Sequence, residues 1–255
     1  MAAKPRAYMT QQYSDDMLKI AAGIYPGISA VNKFGRNPDV ASGVKEEIWD
    51  GSAAYVFPAT ALMTKMSQTT NQAAMVGKTV EVQGLNSSWE AVTQTVTLNG
   101  SDTTTAVTLG TPLIRANRMK VTTSVVTDQD IRLHNTAENQ DYSLILAGFN
   151  QTQQAIYTVP LGKTAYVTNY WAAIIAGGGN PTSCPIALWA KDNANGYAAQ
   201  IKHSLGIDLD YEAKFQHPFE PYYPFPAQTD IFVTATPVAA AATVSAGFDL
   251  ILVDD

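Results

Sequence analysis

Three histidines, one cysteine and a few grouped carboxylates are the side chains through which this sequence could do chemistry, and their spacing suits little of it. His134, His203 and His217 are too far apart for a short metal-ligand motif, and Cys184 alone can make neither an intrachain disulfide nor a cysteine-based zinc site. In a strand, Ile201, His203 and Leu205 would share a face, so His203 reads as a satisfied, partly buried side chain. His217 precedes Pro218 in an expected loop, and His134 begins a polar stretch. A Ser-His-Asp set needs no adjacency in sequence, but no nucleophile elbow singles out a serine. No catalytic, cofactor-binding or metal-binding residue is assigned, and the expectation is a protein that is not an enzyme.

Two further groups look like sites and read more simply as surface. Asp208, Asp210 and Glu212 alternate in GIDLDYE and would line one strand face. Calcium takes about six to eight oxygens, but the run lacks the glycine and the final glutamate of an EF-hand loop, which leaves a solvated acidic face. Gly177, Gly178 and Gly179 follow a strand as a phosphate loop would. No Lys-Ser/Thr pair and no helix come after them, so there is no helix dipole to hold a phosphate. Arg115, Arg118 and Lys120 form a thin basic cluster, read as solvated or salt-bridged.

The segment HPFEPYYPFPAQ, His217 to Gln228, is more distinctive. Pro218, Pro221, Pro224 and Pro226 hold Phe219, Tyr222, Tyr223 and Phe225 in an extended chain, which lowers the entropy lost on docking. It reads either as a subunit contact or sugar-stacking surface, or as a long loop packed across one end of the domain.

The elements that must position these residues are strands. In WEAVTQTVTL, Val92, Val96 and Leu98 fall on one face and Thr93, Thr95 and Thr97 on the other, the period of a half-buried strand. Asn99-Gly100 then turns the chain. Strands are expected at 47–50, 54–57, 62–67, 79–85, 89–98, 105–109, 114–126 and 129–134. A second series follows: a hairpin of 155–159 and 164–175 around Pro160-Leu161-Gly162-Lys163, then 186–190, 197–205, 231–236 and 244–253. The last is nearly all apolar and is expected at a sheet centre. Gln72 to Gly77, Asn86 to Ser88 and Asp192 to Gly196 supply turns at sandwich-like spacing.

Residues 1–48 differ. Ser14 could cap a short helix with Met17, Leu18, Ile20 and Ala21 on its apolar side, ended by Gly23. Beyond it, Ile24, Tyr25, Ile28, Val31 and Phe34 lie among turn signals with no room for a core. They suggest an extended arm ordered by lying on another surface, its own domain or a neighbouring subunit. The fold expected is all-β: arm 1–48, a first antiparallel sandwich 49–145, and a second, jelly-roll-like sandwich 146–255. No internal repeat aligns the two halves.

Composition narrows the partners. The net charge is -6 and the charged fraction 15%, against a usual value of about 25%, so nothing draws the chain toward nucleic acid or an anionic membrane. The sequence contains no apolar run long enough to span a bilayer and its start lacks a signal-peptide stretch, from which a soluble protein not secreted by the usual route is expected.

NKFGRNPDVASGVKEEIWDG, TVEVQGLNSSWEAVTQTVTL, IYTVPLGKTAYVTNYW and VSAGFDLILVDD together resemble a type of structural protein of tailed bacteriophages from marine and freshwater bacteria, over roughly residues 31–254. The resemblance implies a virion component and carries over no site residues. A capsid decoration or cement protein on the outer head surface suits the sequence, assembled in the host cytoplasm. Its partners would be the major capsid protein and further copies of itself, as a homotrimer. Ile24, Tyr25, Ile28, Phe34, Phe219, Tyr222, Tyr223 and Phe225 are the candidate contact residues. The alternatives are a tail, baseplate or head-fibre component that binds host glycans, and a hydrolase on a β scaffold.

Overall fold

The computed structural model describes residues 15–51, 53–176, 181–208 and 213–255. They form one short helix, α1 (Asp16–Ala21), a 3-10 turn at Ala73–Met75 and sixteen strands in four antiparallel sheets, so the fold is all-β and sandwich-like. Asp15 caps α1, its Oδ1 accepting from the amides of Met17 at 2.8 Å and Leu18 at 3.4 Å. Ser14, the expected cap, lies outside the described residues, as do Gly177–Asn180, Asp210 and Glu212.

The larger sandwich has one sheet in the order β1 (Ile28–Val40), β16 (Ala242–Asp254), β11 (Lys163–Ala176), β14 (Lys214–Phe225). The facing sheet runs β15 (Thr229–Ala235), β12 (Ser183–Asp192), β13 (Gln200–Asp208). Its outermost position beside β15 is shared by β2 (Glu46–Glu47) and β10 (Ile156–Thr158). β2 pairs with Thr234 and Ala235, and β10 with Asp230 to Phe232. Between them the Ile48 amide donates to Val233 O, Val233 N to Ala155 O, and Ala155 N to Ile48 O at 2.8 Å. Two segments remote in sequence thus make one strand. Counting it once, the chain alternates between the sheets except at the β12–β13 hairpin, as a jelly roll does.

Residues 49–154 leave and return at that split strand, where Trp49 bridges Gln154. They form the smaller sandwich. One sheet runs β6 (Val107–Leu113), β3 (Met63–Gln68), β8 (Ile131–His134), β9 (Asp141–Ile145), and the other β5 (Ala91–Thr97), β4 (Thr79–Leu85), β7 (Arg115–Val121). Its own core includes Met63, Met66, Val82, Val96, Met119 and Leu133. The jelly roll has a separate core around Tyr170, Leu188, Val233, Val244 and Phe248.

Several expectations change. Of the two surfaces expected to order residues 28–48, the structure shows the chain's own domain, into which they are built as a strand: Ile28 to Asn37 pair residue by residue with Val253 to Val244, and Val40 and Ile48 are buried in the jelly-roll core. The expected hairpin of 155–159 and 164–175 does not form, because β10 and β11 lie in opposite sheets and the turn between them crosses the sandwich. No strand forms at 54–57. β9 ends at Ile145, the expected end of the first sandwich, and the chain rejoins the jelly roll at Gln154. HPFEPYYPF is an edge strand rather than a loop, with residues 219–222 bulged out of register opposite Thr168. Prolines suit such an edge, since they remove donors that would recruit another strand.

Candidate interaction surfaces

The seam between the sandwiches is fixed by charge. Arg115 on β7 and Asp230 on β15 have side chains 2% and 0% exposed and meet in a bidentate pair, Nε to Oδ1 and Nη2 to Oδ2, both 2.8 Å. The remaining capacity is also used. Arg115 Nη1 donates to the Pro58 and Ile114 carbonyls, and Asp230 accepts from Thr158 Oγ1 at 2.6 Å and Asn193 Nδ2 at 2.8 Å. The guanidinium also lies over the rings of Trp89 and Phe57. Of the basic cluster, Arg115 is therefore buried and paired, and Lys120 pairs with Glu81 at 3.0 Å. Arg118 donates to the neutral Gln151 Oε1 at 2.7 Å.

A cleft of about 490 Å³ opens along this seam between β1 and the β4 and β5 strands of the smaller sandwich. Lys33 reaches it from β1. The side chain is buried, its ammonium donates to the Asn117 carbonyl, and burial pushes its pKa down to about 7, with the Arg118 charge acting in the same direction.

At the opposite side of the jelly roll, β13 and β14 are the edges of the two sheets. His203 and His217 stack across that gap with ring centroids 3.8 Å apart, and Tyr170 Oη lies 2.5 Å from His203 Nδ1. Burial, and then the neighbouring His217, lower the His203 pKa. The expected common face of Ile201, His203 and Leu205 is broken by a register shift that sets Ile201 opposite Trp189 and His203 opposite Leu188. Outside this packed layer, Tyr197 is 57% exposed, Ile201 52%, Tyr222 46% and Leu205 37%. A shallow hollow of about 270 Å³ joins Tyr197 to Tyr223 and Pro224.

The eight candidate contact residues do not come together, because β1 and β14 are opposite edges of one sheet. Ile24 is buried, Tyr25 donates to Asp16 Oδ1 at 2.8 Å, Ile28 on β1 pairs with Val253 on β16, and Phe34 borders the cleft. Phe219 and Phe225 are buried in the jelly-roll core and Tyr223 packs on it. Tyr222 stands out into solvent.

A serine does meet a histidine: Ser67 Oγ lies 3.0 Å from His134 Nε2, with His134 Nδ1 against the Asn135 carbonyl. Such a pair is the first requirement of a nucleophilic triad. Here both side chains are fully buried and neither borders the cleft or the hollow, so no substrate carbonyl reaches the oxygen. Among the described residues, no three of His, Cys, Asp and Glu are grouped to hold a metal. Sequence reasoning missed Asp230, which stands at the head of the apolar run IFVTA after two polar residues and so reads as the end of a turn.

No protein-family model matches this chain, and no curated protein matches it significantly.

Proposed function

We propose that this chain is a non-enzymatic structural protein of a tailed-phage virion that binds the outside of the head where major capsid proteins meet and stabilises it. The observation that supports this reading most is the exposure of Tyr197, Ile201, Leu205 and Tyr222 on the β13 and β14 side, a surface that takes in both faces of the β13 edge. Large apolar side chains left exposed along sheet edges offer area that a protein partner can cover. A homotrimer would cover that surface with neighbouring copies. The buried Arg115–Asp230 pair supports it too, by making two sandwiches one stiff body suited to bear load. A second reading draws on the hollow, where Tyr197 stands beside Asp192 and Gln200, groups that can stack on and hydrogen-bond a sugar. It implies a tail or fibre component that binds host glycans.

Imaging of the intact particle separates these readings, since head decoration requires density on the capsid lattice and the glycan reading requires it at the tail or a fibre tip. In solution, Ile201→Asp with Tyr222→Asp is expected to weaken binding to undecorated capsids at least tenfold. Binding equal to the unaltered protein would overturn the proposed surface.

A further inference from the structure

Two basic side chains hydrogen-bonded only to neutral acceptors face the seam cleft. Along β7 the basic side chains alternate in circumstance: Arg115 has Asp230 and Lys120 has Glu81, while Arg118 between them has a neutral amide. Lys33 faces the same space from β1, and its ammonium is held by a carbonyl. No Asp or Glu is among the described residues lining the cleft, and Glu81, which feels the Arg118 charge, is already paired with Lys120. Two cations in a partly desolvated wall repel each other, and an anion between them relieves that cost.

The remaining lining says what kind of anion. At about 490 Å³ the cleft is far larger than a bare inorganic ion needs and falls in the usual range for small organic ligands. Gln83, Thr93 and Gln151 bring amide and hydroxyl groups that can both donate and accept, as sugar hydroxyls require. The planar guanidinium of Arg118 matches a carboxylate in a two-point contact. We propose that the cleft binds a small acidic saccharide, its carboxylate held by Arg118 and Lys33 and its hydroxyls by the amide and hydroxyl side chains of β4, β5 and the segment returning to the jelly roll. The proposal is independent of where the protein sits in a particle.

Titration calorimetry of the full chain with glucuronate, glucose and inorganic phosphate as probes tests it. Glucuronate is expected to bind at millimolar concentration or tighter, and glucose and phosphate at least tenfold more weakly. Arg118→Gln, at an exposed side chain, should weaken glucuronate binding at least tenfold with an unchanged melting temperature, and Thr93→Trp should block it by filling the mouth. No heat with glucuronate, equal affinity for glucose, or glucuronate binding that Arg118→Gln leaves unaltered would each overturn the proposal. Phosphate binding as tightly as glucuronate would overturn it as well, by reducing the cleft to a bare charge.

Discussion

Removing one half of the Arg115–Asp230 pair is expected to be among the most damaging single changes in this protein. Both charges are fully removed from water, and each satisfies several partners: Asp230 accepts from Arg115 twice, from Thr158 and from Asn193. Asp230→Leu leaves a buried guanidinium with only two carbonyls, and Arg115→Met leaves a buried carboxylate with two neutral donors. Loss of one partner from such a pair costs about 3–5 kcal/mol, a large share of a total stability of about 5–15 kcal/mol. The double variant, Arg115→Met with Asp230→Leu, removes both charges and is expected to recover most of that loss, because an apolar pair of similar volume is often as stable. Urea unfolding followed by tryptophan fluorescence measures all four corners of the cycle, and Trp89 stacked on the guanidinium reports the seam directly. The predicted coupling is at least about 2 kcal/mol. Single variants that each cost under about 1 kcal/mol, or a double variant as unstable as the two losses added, would refute the argument that burial makes this pair costly to break.

Gly35→Ala should unfold the protein or cost several kcal/mol by the same assay, since its Cβ would lie 2.2 Å from Ala155 N and 2.5 Å from Ile48 O, and backbone cannot move aside. Gly100→Ala, with nothing within 4 Å, is the matched control and should be near neutral. Lys33 has its pKa lowered from 10.5 to about 7. Folding therefore releases a proton between those values, and stability should rise with pH through that window, the full cost being present below about pH 7. Lys33→Met should flatten the slope and be the more stable protein at pH 6, by on the order of 2 kcal/mol after allowing for the orphaned Asn117 carbonyl. Cys184 is buried with its thiol pushed up to about 11, so a thiol reagent should label it at the rate of global unfolding and not before.

What could be read in the sequence was whatever depended on neighbours in sequence. The alternation of Val92, Val96 and Leu98 against Thr93, Thr95 and Thr97 places β5 correctly, and the apolar run of Val244 to Val253 sits in the sheet interior between β1 and β11. What depended on remote partners was hidden. Ile28 to Val40 has no core of its own and resembles an arm until β16, some 200 residues later, is laid beside it. β2 and β10 are two and three residues long, too short for any period, and have meaning only as halves of one strand. The prolines of β14 read as loop because they forfeit ladder donors, a loss an edge strand tolerates. The seam cleft has contributions from five stretches of chain, and no local pattern announces it.

The pairing of β1 with β16 also orders events during synthesis. Ile28 is opposite Val253, so the strand made earliest in this sheet has its ladder partner made last, with the whole inserted sandwich translated in between. At about 5–20 residues per second, β1 waits roughly 10–40 s on the ribosome with its donors and acceptors unmatched. Residues 49–154 can condense during that interval around their own methionine-rich core, whereas the jelly roll must close after the ribosome has delivered its final strand. A nascent chain stalled before Ala242 should therefore hold a folded insert on an unfolded frame.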